Sequence, residues 1–145
     1  MNSAETVHAS VARLGDRGIL IRGEPGSGKS SLLLALIYGT PPARLVADDR
    51  VHLAVPDGRL VATVPDGIAG RMEIRGQGIV QRLYVRSTVV DVVVDLLPPE
   101  ACPRMPSAED ETVTFAGAAL PRLMLPIGAN DGAVRVRAFL DRVAR

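Results

Sequence analysis

The stretch Gly23-Glu24-Pro25-Gly26-Ser27-Gly28-Lys29-Ser30 decides how this chain of 145 residues folds. It fits the pattern G-x-x-x-x-G-K-(S/T) without a mismatch, and that pattern is typical of a phosphate-binding loop. A short apolar run, residues 18–22, comes before it, and a leucine-rich run, residues 30–38, comes after it. The pattern is meaningful only between a buried strand and a helix, and these two runs predict both.

The residue types of this segment suit the binding of a nucleoside triphosphate. Glycines let the backbone curl so that successive N–H groups point at phosphate oxygens, and the following helix presents its positive end. Lys29 is the only lysine among 17 basic residues, and its ammonium group can reach the β- and γ-phosphates. The hydroxyl of Ser30 can ligate Mg²⁺. We therefore predict ATP and Mg²⁺ as cofactors, and the alternative is a glycine-rich turn without a ligand. The predicted ATP-binding residues are Gly23, Glu24, Pro25, Gly26, Ser27, Gly28, Lys29, Ser30 and Ser31.

Two adjacent acids follow the next apolar run. Residues 44–47 read as a short strand that ends in Asp48 and Asp49. Proteins with a phosphate-binding loop need a carboxylate at such a position to manage the metal or the nucleophile. Two acids suggest two tasks, since one can hold the metal shell while the other takes a proton from an attacking hydroxyl. The alternative is a solvated turn.

Composition and charge argue against several classes of protein. A net charge of +1 and an aromatic content of 3% offer neither the basic field nor the stacking platforms of nucleic-acid binders. The first ten residues lack a signal-peptide pattern, and the most apolar stretches are too short to span a bilayer. One cysteine, Cys102, cannot form an internal disulfide. We therefore expect a cytoplasmic protein.

The rest of the chain reads as strand-rich, within a single α/β domain over residues 1–145. Gly39-Thr40-Pro41-Pro42 should end the first helix. Apolar runs at 51–55 and 59–64 flank Pro56-Asp57-Gly58, which predicts a hairpin. Further along we predict a buried strand at 88–96, a proline-rich surface loop at 98–111, strands near 112–115 and 122–127, and a helix at 133–144.

Four further charged residues are candidates of weaker standing. Glu73-Ile74-Arg75 alternates like a strand, which places Glu73 and Arg75 on one face. That pair can serve metal and phosphate, or it can be an ordinary surface ion pair. His8 can be a plain surface histidine or an accessory proton carrier, since histidine is the side chain most often used for proton transfer at physiological pH. Arg104 carries no pattern of its own.

Three blocks of sequence, taken together, resemble one known family. They are the glycine-rich stretch 23–30, Val46-Ala47-Asp48-Asp49-Arg50, and Glu73-Ile74-Arg75-Gly76-Gln77-Gly78-Ile79. In this order they resemble the catalytic domain of HPr kinase/phosphorylase, and the third block is the most specific to it. His8 also lies fifteen residues before Gly23, as a family histidine does. The resemblance runs from about residue 7 onward.

The resemblance implies a fold and an activity. Family members have a phosphate-binding-loop fold related to phosphoenolpyruvate carboxykinase, assemble as hexamers, and use ATP to phosphorylate a serine of the phosphocarrier HPr. Many also reverse the reaction with inorganic phosphate. An HPr-like carrier of a phosphotransferase system is therefore the expected partner.

The resemblance also implies roles for individual residues. Asp49 is the expected proton acceptor, and His8, Lys29, Arg104 and Asp48 complete the catalytic set. The implied metal set is Ser30, Glu73 and Asp48. The segment expected to serve both directions of the reaction contains Glu73, Ile74, Arg75, Gly76, Gln77 and Gly78.

Departures from the family pattern change the expectations. The glycine-rich stretch begins at residue 23, so we expect a short form without the usual N-terminal domain. Residues 126–132, Pro-Ile-Gly-Ala-Asn-Asp-Gly, lack the arginines that the family carries there and include Asp131. We therefore expect a serine kinase with weak or absent reverse activity. Two alternatives remain: a small-molecule kinase, and a nucleotide-dependent switch that turns over slowly.

Overall fold

The computed structural model describes residues 5–39 and 43–143, which form eleven strands and two α-helices. Nine strands make one mixed sheet, and β7 and β8 form a separate hairpin. The strands are β1 (Glu5–Val7), β2 (Ser10–Leu14), β3 (Arg17–Gly23), β4 (Ala43–Ala47), β5 (Val51–Ala54), β6 (Val61–Thr63), β7 (Arg71–Ile74), β8 (Gly78–Gln81), β9 (Ser87–Leu97), β10 (Thr112–Phe115) and β11 (Ala118–Pro126). The helices are α1 (Lys29–Gly39) and α2 (Gly132–Arg142). The expected α/β fold, rich in strands, is confirmed.

The strand directions bring several chain segments to one edge of the sheet. The main path runs β1-β5-β6-β9-β3-β2-β4, and β11 pairs with β9. Strands β3, β9 and β11 are parallel, while β2 is antiparallel to both β3 and β4. The ends of β3, β4, β9 and β11 and the beginning of β2 therefore lie together. We call this the carboxyl edge, and the opposite one, where β3 and β9 begin, the far edge.

Both faces of the sheet are buried, which explains the unbroken apolar runs in β3 and β9. Side chains alternate between the faces, so Ile19 and Ile21 join the core under the helices while Leu20 joins the core on the other face. All three are 0% exposed. A sequence whose central strands were apolar on one face only would leave the second core incomplete.

Helix α1 follows the glycine-rich loop, the name we keep for residues 23–30. It begins at Lys29 and ends at Gly39, within one residue of the prediction. Its buried side chains, Leu32, Leu33 and Leu36, pack onto the sheet. The predicted stop at Thr40, Pro41 and Pro42 lies outside the described residues.

Helix α2 is fixed to the start of β3 by an arginine. Its own Val136 and Phe139 are buried, and Arg17 donates hydrogen bonds to the backbone oxygens of Leu140 (2.7 Å) and Val143 (2.9 Å). Cations stabilise the carbonyl groups that remain unpaired at a helix C-terminus. The helix ends at Arg142 and not at 144, which lies outside the described residues.

Most predicted strands are confirmed, and the differences have local causes. The hairpin β5–β6 turns at residues 56–58, where Asp57 (φ 55°) and Gly58 (φ 80°) take the left-handed conformation. Strand β11 begins at residue 118 and not 122, because its first part pairs with β10. Strands β1, β2 and β8 were not predicted, and in β2 the apolar run is short and includes Ser10 and Arg13. Among the described residues, no helix combines the length and the apolar character that crossing a membrane requires.

Candidate functional site

The glycine-rich loop lies at the carboxyl edge, between the end of β3 and the start of α1. Gly26 (φ 82°) and Gly28 (φ 103°) adopt a backbone conformation that other residues reach only with strain. Apart from the adjoining residues of the chain, no described atom lies within 4 Å of the place where a Cβ would stand at either glycine. The space beside both glycines is therefore open.

Lys29 reaches back over this loop. Its Nζ donates hydrogen bonds to the backbone oxygens of Gly23 (2.8 Å) and Glu24 (3.2 Å). The ammonium group is thus held at the mouth of the loop, where it can meet an anion. Ser27 is buried, and its hydroxyl has no hydrogen-bond partner among the described residues. Ser31, on the outer side of α1, is exposed.

Asp48 is the point where separate sequence blocks meet. It is only 8% exposed. Its Oδ1 accepts hydrogen bonds from the hydroxyls of Ser30 (2.8 Å) and Ser10 (3.0 Å), and its Oδ2 accepts one from the backbone N–H of Glu73 (3.3 Å). A single carboxylate therefore joins the glycine-rich loop, the start of β2, the end of β4 and the hairpin β7–β8.

Asp49 differs from Asp48 in the exposure of its side chain and in its backbone conformation. Its side chain is exposed, and its φ of 78° is left-handed, an unusual conformation for a residue other than glycine. Its backbone N–H donates to Ser10 Oγ at 3.5 Å. Such strained positions occur preferentially at functional sites. Of the two acids, Asp48 is fixed inside the site and Asp49 is presented to solvent.

The segment 73–78 forms the turn of the hairpin β7–β8. Glu73 and Ile74 belong to β7, and the N–H of Gln77 donates to the backbone oxygen of Ile74 at 2.9 Å. The predicted strand at 73–75 therefore stops one residue early, because Arg75 lies in the turn. Both Glu73 and Arg75 are exposed, and none of the ion pairs within residues 5–39 and 43–143 joins them.

The other two of the four weaker candidates, His8 and Arg104, lie on segments that reach the carboxyl edge. His8 is exposed and precedes β2, two residues before Ser10, while Arg104 is exposed in the loop that follows β9. In the described part of the chain, neither side chain forms a hydrogen bond or an ion pair. Their predicted roles remain predictions.

The residues at this site fit a magnesium ion bound mainly through its own waters and through phosphate. Nowhere in the described ranges do three or more His, Cys, Asp or Glu side chains gather to hold a metal. Mg²⁺ does not need such a cage, because it keeps several waters and takes one or two carboxylates together with substrate phosphates. The Ser30 hydroxyl and the Asp48 carboxylate, 2.8 Å apart, offer the oxygen ligands that this hard cation prefers.

A buried ion cluster behind the loop was not predicted from the sequence. The Asp95 carboxylate accepts from Arg22 Nε (2.7 Å) and Nη2 (2.8 Å) and from Arg122 Nε (2.6 Å), and Arg22 also lies over the ring of Phe115. Burial by itself would raise the pKa of Asp95, but the two guanidinium groups hold it below its ordinary value of 3.8. The only available signal was the presence of Arg22 and Asp95 inside apolar strands.

The fold and the site define a class of protein: an α/β domain in which a strand, a glycine-rich loop and a helix face a buried carboxylate at one sheet edge. The family model described as HPr Serine kinase C-terminal domain matches residues 1–136. This chain belongs to that family. The resemblance stated from sequence is therefore confirmed.

Individual relatives agree with this assignment. HPr kinase/phosphorylase of Streptococcus equi subsp. zooepidemicus is 33% identical over 153 aligned positions, covering 97% of this chain and 48% of that protein. The same enzyme of Clostridium tetani is 44% identical over 77 residues, covering 52% of this chain and 25% of that protein. The chain thus spans about half or less of these curated relatives.

A solved structure shares the fold over almost the full chain. The HPr(Ser) kinase/phosphatase from Coxiella burnetii superposes with a TM-score of 0.78 at 26% identity, covering 95% of each chain.

Proposed function

We propose that this chain is an ATP- and Mg²⁺-dependent serine kinase that phosphorylates an HPr-like phosphocarrier protein. One observation carries the proposal: Asp48 receives hydrogen bonds from Ser30 of the glycine-rich loop and from Glu73 of the 73–78 segment. The sequence blocks that resemble the family therefore meet at a single carboxylate. The relatives that match are named for this activity.

The nucleotide's phosphates would be held by residues 23–31. Backbone N–H groups and the start of α1 favour the negative charge, and the ammonium group of Lys29 would exchange its contacts with Gly23 and Glu24 for phosphate oxygens. Ser30, Asp48 and Glu73 would hold Mg²⁺. When bound, that ion supplies positive charge which offsets the charge on the phosphates.

Asp49 would act on the serine of the carrier. Its exposed carboxylate accepts the hydroxyl proton while the serine oxygen forms a bond to the γ-phosphorus. The bond from that phosphorus to the β,γ-bridging oxygen breaks, and ADP leaves with the electron pair. The proton on Asp49 then passes to water, which restores the carboxylate. In this proposal Asp48 holds the site together and Asp49 accepts the proton.

Several finer assignments rest on the family alone. We propose that His8 and Arg104 approach the reacting groups from the segments flanking the carboxyl edge. We also propose that the 73–78 hairpin contacts the carrier and that the protein assembles as a hexamer. A cytoplasmic location follows from the proposed substrate.

Transfer of label from ATP tests the proposed function. The protein, Mg²⁺, γ-labelled ATP and the HPr-like carrier of the same organism should give label on a carrier serine, detected by gel and by mass spectrometry of peptides. Lys29→Ala should weaken both ATP binding and transfer, since its cation is lost from the loop. Arg59→Ala removes an exposed cation that lines a cavity with Asp16 at the far edge and should change neither. ATP binding without any serine label would contradict the proposal and favour a nucleotide-dependent switch.

We expect the reverse reaction, release of phosphate from the phosphoserine carrier, to be much slower than phosphorylation. Inorganic phosphate attacking a phosphoserine brings two anions together, which requires local positive charge. Residues 127–131 lead from β11 into α2 and contribute no basic side chain. Their one charged group, Asp131, lies 3.0 Å from Arg135 Nε and partly neutralises it.

Forward and reverse rates on one preparation measure this expectation. Asp131→Lys, which replaces the acid by a cation, should raise the phosphate-dependent reverse rate severalfold and leave the Kd for ATP unchanged. Equal forward and reverse rates in the unmodified protein would show the expectation to be wrong.

A further inference from the structure

Ser10 lies between the two adjacent acids. It is 0% exposed. Its hydroxyl donates to Asp48 Oδ1 at 3.0 Å and accepts the backbone N–H of Asp49 at 3.5 Å. One buried side chain thus contacts both acids, and it comes from β2, a strand that belongs to none of the recognised sequence blocks.

The two hydroxyls on Asp48 Oδ1 differ in what else they have to do. Ser30 is the first candidate ligand for Mg²⁺, so its hydroxyl would turn from Asp48 toward the metal when nucleotide binds. Ser10 has no such second task, because it is buried below the acids on a sheet strand. Its hydrogen bond is therefore the one that persists and keeps the Asp48 carboxylate in a fixed orientation.

Ser10 also supports the strained backbone at Asp49. A left-handed residue other than glycine persists only where its surroundings hold it in place. The N–H of Asp49 is bonded to Ser10 Oγ, and this contact helps to set the direction in which the exposed carboxylate leaves the chain. Without the hydroxyl, the backbone can relax and the acid can leave its reactive position.

We propose that Ser10 is a positioning residue that holds Asp48 for the metal shell and Asp49 for proton transfer. This inference rests on the proposed function. Groups that orient metal ligands affect activity by about 10- to 100-fold when they are removed. Ser10 should act on turnover more than on nucleotide affinity, because it contacts the acids and not the glycine-rich loop.

The test compares Ser10→Ala with two other variants. Ser10→Ala should lower kcat for carrier phosphorylation by about 10- to 100-fold, with the Kd for ATP without Mg²⁺ within about twofold of the original. It should also reduce the gain in ATP affinity that Mg²⁺ produces. Ser10→Thr keeps the hydroxyl and should retain more of kcat and of the Mg²⁺-dependent gain in affinity. Thr88→Val removes another buried hydroxyl, one that donates to Val89 O near the far edge, and should alter neither.

The magnesium effect on affinity separates this inference from the proposed function. If the original protein transfers no phosphoryl group to the carrier, the proposed function fails, yet the loss of the Mg²⁺-dependent gain in Ser10→Ala still supports the role of Ser10. The inference is overturned if Ser10→Ala keeps both kcat and that gain. It is equally overturned if affinity without Mg²⁺ falls in the same proportion as kcat, or if Thr88→Val loses as much.

Discussion

Replacing Asp49 with asparagine should lower kcat for carrier phosphorylation by about 10²- to 10⁴-fold, the usual contribution of a general base, while the Kd for ATP stays nearly unchanged. The amide cannot accept the serine proton, but it keeps the shape of the side chain. Asparagine also tolerates the left-handed conformation, and Asp49 has a φ of 78°. The loss of activity would therefore report chemistry and not a rebuilt backbone.

Asp57 provides a matched control for this substitution. It is another exposed aspartate with a left-handed backbone (φ 55°), and it lies in the β5–β6 turn. Asp57→Asn should leave both transfer and ATP binding unchanged. Steady-state kinetics on the carrier and fluorescence titration with a nucleotide analogue measure the two quantities. If Asp49→Asn turns over normally, Asp49 is not the proton acceptor and the proposed chemistry is wrong.

The fold was predictable where one motif restricted the backbone strongly. The glycine-rich loop requires a strand before it and a helix after it, and β3 and α1 appear within one residue of the predicted bounds. The apolar run 88–96 belongs to a central strand because both faces of the sheet are buried. Strand β2 was missed because its residues share neither a turn signal nor a strict alternation.

The residue types of the two acids did not distinguish them, and only the family resemblance assigned proton transfer to Asp49 and the metal shell to Asp48. Asp48 and Asp49 are neighbours of the same type, and two tasks could be assigned to them in either order. Tertiary contacts separate them: Asp48 is buried among three donors, whereas Asp49 is turned outward by a left-handed backbone. Ser10 was not a candidate from the sequence for the same reason, since its hydrogen bond to Asp48 joins residues 38 positions apart in the chain.

Removing the Asp95 carboxylate should lower the free energy of unfolding more than the other substitutions named above. Asp95→Ala would leave Arg22 and Arg122 side by side with no counter-ion beneath them, and truncating one partner of a buried ion pair costs about 3–5 kcal/mol. The side chains of Arg22 and Arg122 are 34% and 24% exposed, so the lower end, about 3 kcal/mol, is expected. Urea unfolding followed by circular dichroism measures the free energy of unfolding.

The exposed pair Asp66–Arg86 is the control for Asp95. Its atoms lie 3.4 Å apart, and the Asp66 side chain is 97% exposed, so Asp66→Ala should change the free energy of unfolding by less than about 1 kcal/mol. A cost for Asp95→Ala no larger than that of Asp66→Ala would show that the cluster does not stabilise the fold.

The acid dependence of stability should identify the same carboxylate. The pKa of Asp95 in the folded protein lies below 3.8, its value when unfolded, so its stabilising contribution is complete above about pH 5 and is lost as the pH falls through the folded value. Asp95→Asn lacks that contribution at every pH. The difference in unfolding free energy between the original protein and Asp95→Asn should therefore be largest at neutral pH and should shrink in acid. Asp95 lies on the central strand β9 and binds an arginine of β3 and one of β11. The ion pairs that join these three strands should therefore be lost at the pH where this difference vanishes. If the difference in unfolding free energy instead stays constant down to strong acid, the ionised Asp95 carboxylate does not stabilise the fold through its two arginines.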